Sequence, residues 1–317
     1  MSTAKSINQS NKTSVPHENR TSAEPRQSTL YPVRLSHIEQ INPTIRLLQF
    51  AIPSRVDGRS NTSNHSSPIP PKAFTFLPGQ WLDVHIPSLR DAGGFTITST
   101  PLEASPESSD YPYIELAVQD APGNPAAAWL WRPESEILGA EVQVRVGGSF
   151  VWPPSAAGGG IPLAEIRKVI FVAGGVGIKI HLLYSTKLPP PMKNQNRENQ
   201  ILFLPRLLEI VHSETRGHPQ QDKPKSTFQP LDVRLYLTNL SAQGTCTSEL
   251  LAESHHGISI YDRRITATDL QHLIGSDSDE RVRTVCNVCG PPQMTDEFVD
   301  VLKHIVGDDR VFYEKWW

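Results

Sequence analysis

Two stretches of this chain end apolar runs in turns suited to holding a phosphorylated ligand. Val169, Ile170, Phe171, Val172 and Ala173 lead directly into Gly174, Gly175, Val176, Gly177 and Ile178. Residues 284–289 lead into Gly290, Pro291 and Pro292, and Gln293 and Met294 then open an amphipathic segment reaching residue 305. Glycines after a buried strand let the backbone approach a pyrophosphate, and a following helix offers its free N–H groups. Alone, a glycine turn is equally well a bare tight turn. Two such strand ends in one domain shift that balance, because an open α/β sheet binds its ligand at the carboxyl ends of its strands. A dinucleotide lying across both ends is the expectation, with Cys289 beside the cleft.

Cys286 and Cys289 also spell C-x-x-C, so metal binding and redox pairing need weighing. Residues three apart on a strand point to opposite faces, which disfavours both a disulfide and a shared metal. Cys246, His255 and His256 lie far off in sequence. Cys286 reads as a small core hydrophobe, and no metal site is expected.

The elements that would position these turns divide the chain in two. With 317 residues, two domains fit better than one. A net charge of -3 gives no basic excess to argue for nucleic acid. No apolar run is long enough to span a membrane. The 3 cysteines form no disulfide framework, which suits a reducing compartment. Residues 1–29 are polar and read as a disordered tail. Lys5, Lys12, Arg20 and Arg26 admit a transit peptide there, yet Glu18 and Glu24 interrupt it and no amphipathic stripe follows. Mitochondrial and cytoplasmic locations both stay open.

Residues 30–154 show short alternating runs at 31–38, 44–52, 81–86, 95–99, 114–118 and 141–146, separated by Pro and Gly. That spacing predicts an antiparallel Greek-key β-barrel. Residues 54–72 read as a surface insertion, and residues 155–164, with three glycines, as a linker. From 165 to 317 the pattern changes to strands (168–173, 231–239, 282–289) alternating with helices (204–212, 268–274, 293–305). Alternation of that kind means a parallel-sheet nucleotide-binding domain. Met294, Phe298, Val301, Leu302 and Ile305 make one helical face. Residues 189–200 and 214–230 read as disordered insertions.

The combination of Gly174–Ile178 with the run Cys289, Gly290, Pro291, Pro292, Gln293, Met294 resembles the ferredoxin–NADP reductase superfamily. Residues 77–87 and 93–101 match its barrel in the right order. The ending, residues 312–317, narrows the resemblance to the oxidoreductase NAD-binding domain-containing proteins. It spans residues 30–317 apart from the insertions. The resemblance implies a barrel that holds FAD and an α/β domain that holds NAD(P)H. Phe95, Thr96, Ile97, Thr98 and Ser99 would meet the flavin, with Trp317 as a shield over its ring. Gly174, Gly175, Val176, Gly177 and Ile178 would admit the dinucleotide. Cys289, Gly290, Pro291, Pro292 and Met294 would border the nicotinamide. Thr96 and Cys289 would take the catalytic roles, and Glu314 could orient a proton or the nicotinamide. On pattern alone, Phe95 and Thr96 are ordinary barrel residues and the terminal tryptophans a hydrophobic plug.

The chain departs from the family at three places. Gly93 stands where the family has a phosphate-binding Arg, which removes a charge-assisted contact of about 1.5–3 kcal/mol. Arg145 is a candidate to compensate. Residues 123–128 lack the usual Ser of the second phosphate turn. Between Ile178 and the strand-like residues 182–185 the first crossover helix is missing, although a parallel pair needs about a dozen linking residues or more. Either residues 178–184 are redeployed as a short helix or a segment has been lost. The fit of residues 182–187 to the second strand favours loss.

The expected function is a flavin-dependent NAD(P)H oxidoreductase passing hydride to FAD and on to an external acceptor, a protein among the candidates. The alternative is a non-catalytic nucleotide-binding protein, or a truncated inactive isoform, that has lost the flavin. NADH and NADPH are not distinguished, with Lys187 and Arg206 as loose candidates for a 2′-phosphate. Nucleic acid is not an expected partner.

Overall fold

Six antiparallel strands build the first domain of the computed structural model, which describes residues 15–53, 73–154, 161–162, 165–173, 181–193, 195–215, 231–239 and 258–315. They are β1 (Tyr31–Asn42), β2 (Ile45–Ala51), β3 (Trp81–His85), β4 (Gly93–Thr96), β5 (Tyr113–Gln119) and β6 (Glu141–Gly147), in the order β4-β3-β6-β1-β2-β5. A bridge between Ile97 and Leu116 joins the two edges. The Thr98 amide donates to the Glu115 carbonyl at 2.8 Å beside it. The ring of strands is thereby closed, which removes the unpaired edges that an open sheet must otherwise protect. Strand alternation fills the interior with Leu35, Phe50, Leu82, Val84, Ile114, Leu116 and Val144, all fully buried.

The same alternation turns Trp81, Asp83 and His85 of β3 away from that interior, and Trp81 and Asp83 are nevertheless fully buried. Residues 15–29 cover them, which corrects the expectation of a disordered tail over that stretch. Helix α1 (His17–Arg20) sets the His17 ring edge-on to Trp81 at 4.7 Å. The Arg26 guanidinium lies 4.9 Å above the same indole. Arg26 and Arg145 both bond the Asp83 carboxylate, at 2.8 and 2.9 Å. Composition missed this because the anchors are polar: His17 and Arg26 reach Asp83, Glu18 bonds Arg145, and Glu24 accepts from Ser149. Two short helices, α2 (Pro125–Leu130) and α3 (Glu134–Ile137), complete the domain.

The second domain carries β7 (Lys168–Ala173), β8 (His181–Thr186), β9 (Asp232–Leu237), β10 (Ile258–Tyr261), β11 (Thr284–Cys289) and β12 (Val311–Tyr313). Every neighbouring pair is parallel, in the order β10-β9-β8-β7-β11-β12. Helices α5 (Ala267–Ile274) and α7 (Pro292–Val306) pack with one face of the sheet around Ile170, Val172, Cys286 and Val288. Helix α4 (Leu204–Thr215) packs with Leu182, Tyr184, Val233 and Leu235 on the other. A four-residue helix, α6 (Ser278–Arg281), precedes β11. The stripe expected on α7 is rotated slightly: Thr295, Phe298, Val299, Leu302 and Val306 are buried, while Met294, Val301 and Ile305 pack at its margins.

The link from β7 to β8 is as short as the sequence says. Ala173 pairs with Tyr184 and Ile170 with His181, so the chain must return by three residues, about 10 Å. Seven residues, 174–180, make that return, short of the dozen a crossover helix takes. Redeployment of residues 178–184 as a helix is not what occurs, because His181–Thr186 is a strand. Nor are residues 189–200 a loose insertion. Gln200 is fully buried, and Arg197 donates to the Pro189 carbonyl at 2.8 Å.

Candidate functional site

The two domains meet where the β4–β5 edge of the barrel faces the start of α4. Trp152, just past β6, stands edge-on to Phe171 of β7 at 5.8 Å. The Asn42 side-chain amide donates to the Gln200 carbonyl at 3.0 Å. The third contact is a two-pronged ion pair: both Arg206 terminal nitrogens reach the two Glu115 oxygens at 2.8 Å. Glu115 is only 1% exposed. Burial alone would raise its pKa, but the Arg206 and Thr98 hydrogen bonds outweigh that and hold it below the usual carboxylate range.

Five expected flavin contacts lie on this edge. Thr98 donates its hydroxyl to Glu115 at 2.9 Å, and Ser99 accepts the Glu115 amide at 3.0 Å. Thr96 is half-buried on the face of β4 opposite Phe95. Phe95 itself packs in the barrel core with Ile97 and shows little of its ring to any ligand. Gly93 explains why. A Cβ on Gly93 would lie 2.4 Å from the Ala126 Cβ and 2.6 Å from the Phe95 ring. That space is filled from β4 itself and from the first turn of α2, whose N–H groups Asn124 caps at 3.1 and 3.3 Å. No side chain fits at 93, and a cation least of all.

Arg145, expected as a stand-in for the missing phosphate contact, is committed elsewhere. Its guanidinium bonds Asp83 and Glu18 on the outer wall. Burial would raise the Asp83 pKa, yet the bonds from His17, Arg26 and Arg145 more than offset it and hold this carboxyl well below the usual range. A Cβ on Gly94 would run into the His17 ring at 2.1 Å. The glycine pair 93–94 is thus packed on both sides of the strand, by Phe95 and Ala126 on one and by His17 on the other. Glu18, Asp83 and His85 place ligand atoms within 4.8 Å of one another. Arg26 and Arg145 already neutralise the two carboxylates, so this is an ion-pair network with no surplus charge for a divalent cation.

On the nucleotide side, Cys289 ends β11 and pairs in register with Ala173, the last residue of β7. The two expected strand ends are therefore adjacent. Cys289 is half-buried, and burial, reinforced by the Glu314 carboxylate, pushes its thiol up to about 12. It is a neutral S–H group at physiological pH and no nucleophile. Glu314 is itself 8% exposed, so it belongs to the site's wall rather than to the solvated surface. The Gly290 carbonyl accepts the Thr295 hydroxyl at 3.1 Å, which fixes the turn against α7. Pro291 and Pro292 open that helix and are exposed, and Met294 is half-buried. Cys286 is fully buried among core residues, as a structural cysteine should be. Gly174, Gly175, Val176, Gly177, Ile178 and Trp317 lie outside the described residues, as do Cys246, His255 and His256.

One further expectation changes. Arg206 has no open charge for a 2′-phosphate, since Glu115 occupies its fork and Glu103 adds a second negative charge nearby. Glu115 and Asp83, which organise the barrel's two polar clusters, were passed over in the sequence. Their signal was a carboxylate set inside an otherwise apolar strand, as in Ile114, Glu115, Leu116 and in Leu82, Asp83, Val84.

The residues present fit a flavin in part. The edge offers the Thr96 hydroxyl for a ring, the Thr98 hydroxyl being given to Glu115, whereas Gly93 offers its phosphates no cation.

Comparison with known proteins agrees with this architecture. No family model matches the chain. A protein of Danio rerio named oxidoreductase NAD-binding domain-containing protein 1 is 27% identical over 331 residues, 95% of this chain and 97% of the relative. Its namesake from Pongo abelii is 30% identical over 252 residues, 77% of this chain and 71% of the relative. Among solved structures, a ferredoxin NADP+ reductase from Neisseria gonorrhoeae with bound FAD and NADP superposes with a TM-score of 0.51 at 10% identity, covering 92% of this chain and 100% of that one. A closed barrel followed by a parallel sheet, with Cys289 at a strand end beside β7, is the two-domain architecture of ferredoxin–NADP reductases. Within it, the chain belongs to the oxidoreductase NAD-binding domain-containing protein 1 family.

Proposed function

We propose that the protein is a flavin-dependent NAD(P)H oxidoreductase that hands electrons to an external acceptor. The observation that carries the reading is the adjacency of the β7 and β11 carboxyl ends, with Cys289 and Glu314 in one wall beside a barrel domain. The dinucleotide would enter across those ends, with residues 174–178 admitting its pyrophosphate and Gly290 and Pro291 bordering the nicotinamide. Bound FAD would supply the hydride-accepting chemistry, and the solved relative from Neisseria gonorrhoeae holds FAD and NADP on this fold. Thr96 would hold the ring by its hydroxyl, beside the Thr98–Ser99 edge that Glu115 fixes. Cys289, kept neutral, would pack beside the nicotinamide. Glu314 would place its carboxyl group close to the nicotinamide ring, which becomes cationic as NAD(P)H gives up its hydride.

A second reading is favoured by two specific observations. The crowding at Gly93 and the seven-residue link from β7 to β8 both weaken phosphate binding, so the chain could bind a nucleotide without turning it over. One experiment separates the readings: incubate the protein with FAD, desalt it, and record the visible spectrum before and after anaerobic NADH. Retained flavin that bleaches supports the oxidoreductase. A colourless protein after desalting sinks it and leaves the binding protein.

A further inference from the structure

We propose that Arg206 and Glu115 form an interdomain positioning pair, and that Arg206 serves this pair and not a nucleotide phosphate. The proposal deepens the flavin-site reading above, since the barrel residues it holds are those assigned to the flavin ring.

The geometry is that of a built joint. Each Glu115 oxygen accepts one Arg206 nitrogen at 2.8 Å, the bidentate arrangement that adds direction to charge. The remaining capacity of the carboxylate is also used: Thr98 donates to Oε1 at 2.9 Å and Gln49 approaches Oε2 at 3.4 Å. The Glu115 backbone repeats the pattern, its amide donating to Ser99 and its carbonyl accepting from Thr98. One buried residue therefore fixes the Thr98–Ser99 edge by backbone and side chain together, and Arg206 ties that residue to α4.

The α4 side is shaped to deliver the guanidinium. Phe203, just before the helix, sits at φ 62°, a left-handed conformation that bulky residues avoid. Its carbonyl accepts the Leu207 amide at 2.9 Å, so the unusual residue sets the helix start. The Arg206 guanidinium lies 5.6 Å from the Phe203 ring centre, held from its own side as well. Backbone strain of this kind persists where the surroundings over-determine it. A second tie, Asn42 to Gln200, lies on the same segment, and a cavity of about 340 Å³ lined by Glu39, Gln40, Leu47, Phe203 and Arg206 adjoins the joint. The geometry opposes a phosphate role: Glu115 occupies the Arg206 fork, and the Glu103 carboxylate adds negative charge nearby that a 2′-phosphate would have to overcome.

The pair is asymmetric, which makes it testable. The Glu115 side chain is 1% exposed and that of Arg206 43%. Removing Arg206 strands a buried carboxylate, whereas removing the Glu115 charge leaves an arginine that water can reach. Amide hydrogen exchange on the full chain, without cofactor, reads the joint directly. Arg206→Ala is expected to speed exchange at residues 96–99 and 200–207 at least tenfold, Glu115→Gln less, and Arg206→Lys to restore part of the protection. Steady-state kinetics then compare NADH with NADPH. Arg206→Ala should lower kcat while moving both KM values by the same factor. Unchanged exchange in Arg206→Ala would overturn the proposal. So would a tenfold rise in the NADPH KM alone, which would mark a phosphate contact. If the chain proves to lack flavin, the exchange arm still decides the joint, and failure of the oxidoreductase reading stays a separate result.

Discussion

Replacing Gly93 by arginine would give the chain the residue its wider superfamily uses for flavin phosphate. The expected result is loss of stability without gain of flavin. Even the first added atom, a Cβ, would stand 2.4 Å from the Ala126 Cβ and 2.6 Å from the Phe95 ring. Carbon atoms settle at about 3.5–4.0 Å, so the ring or the α2 start must retreat by about 1 Å or more. Overpacking of this kind costs about 1–3 kcal/mol. A displaced α2 would also lose its Asn124 cap, about 1 kcal/mol more. Gly93→Ala should therefore lose about 1–3 kcal/mol, and Gly93→Arg about 2–4 kcal/mol. Urea denaturation followed by tryptophan fluorescence measures both, because Trp81 and Trp129 report on the barrel, and FAD retention after desalting is scored on the same samples. An arginine variant of unchanged midpoint that holds tenfold more FAD would refute the reasoning. It would mean that the space around Gly93 is open and the glycine a simple loss of function.

Asp83→Asn should strip the anchor from Arg26, Arg145 and His17 and cost about 3–5 kcal/mol, as when one partner of a buried pair is removed. Trypsin cleavage after Arg20 or Arg26 would report the loosened segment, and resistance equal to wild type would count against the anchor. Because the folded pKa of Asp83 is depressed, its contribution is present above the unfolded value near 4 and is lost as pH falls through the lower folded value. Protection of residues 15–29 should hold from pH 7 to about 5 and give way only in stronger acid. With its thiol pushed up to about 12, Cys289 should react with iodoacetamide at pH 8 more than a hundredfold slower than a free thiol of pKa about 8.5. Glu314→Gln should quicken that alkylation by removing the neighbouring charge, and no change would separate the two groups. Inserting an amphipathic helix of about a dozen residues between Ile178 and His181 should tighten NADH binding in calorimetry, since it supplies the crossover a parallel pair ordinarily has.

The sequence alone indicated the type of most elements and the end of β11 at Gly290, and it left β10 and β12 unread. Period-two alternation located all six barrel strands, and the apolar runs at 168–173 and 284–289 located β7 and β11, because burial of one or both strand faces is written directly into residue order. It also showed that β7 and β8 are linked by too few residues for a helix, a fact of counting. What it could not show is which distant residue meets which polar side chain. Residues 15–29 look like tail by composition, and only the fold brings His17 over Gly94 and Arg26 to Asp83. Arg206 looks like any helix-surface cation until α4 is seen against the barrel and Glu115 takes its fork, 91 residues away in sequence. Gly93 reads as a missing arginine, and tertiary packing reveals that Phe95 and Ala126 fill its place. Local pattern encodes burial because each residue carries its own hydrophobicity. Pairing of charges and filling of space belong to two residues at once, and the folded chain alone decides them.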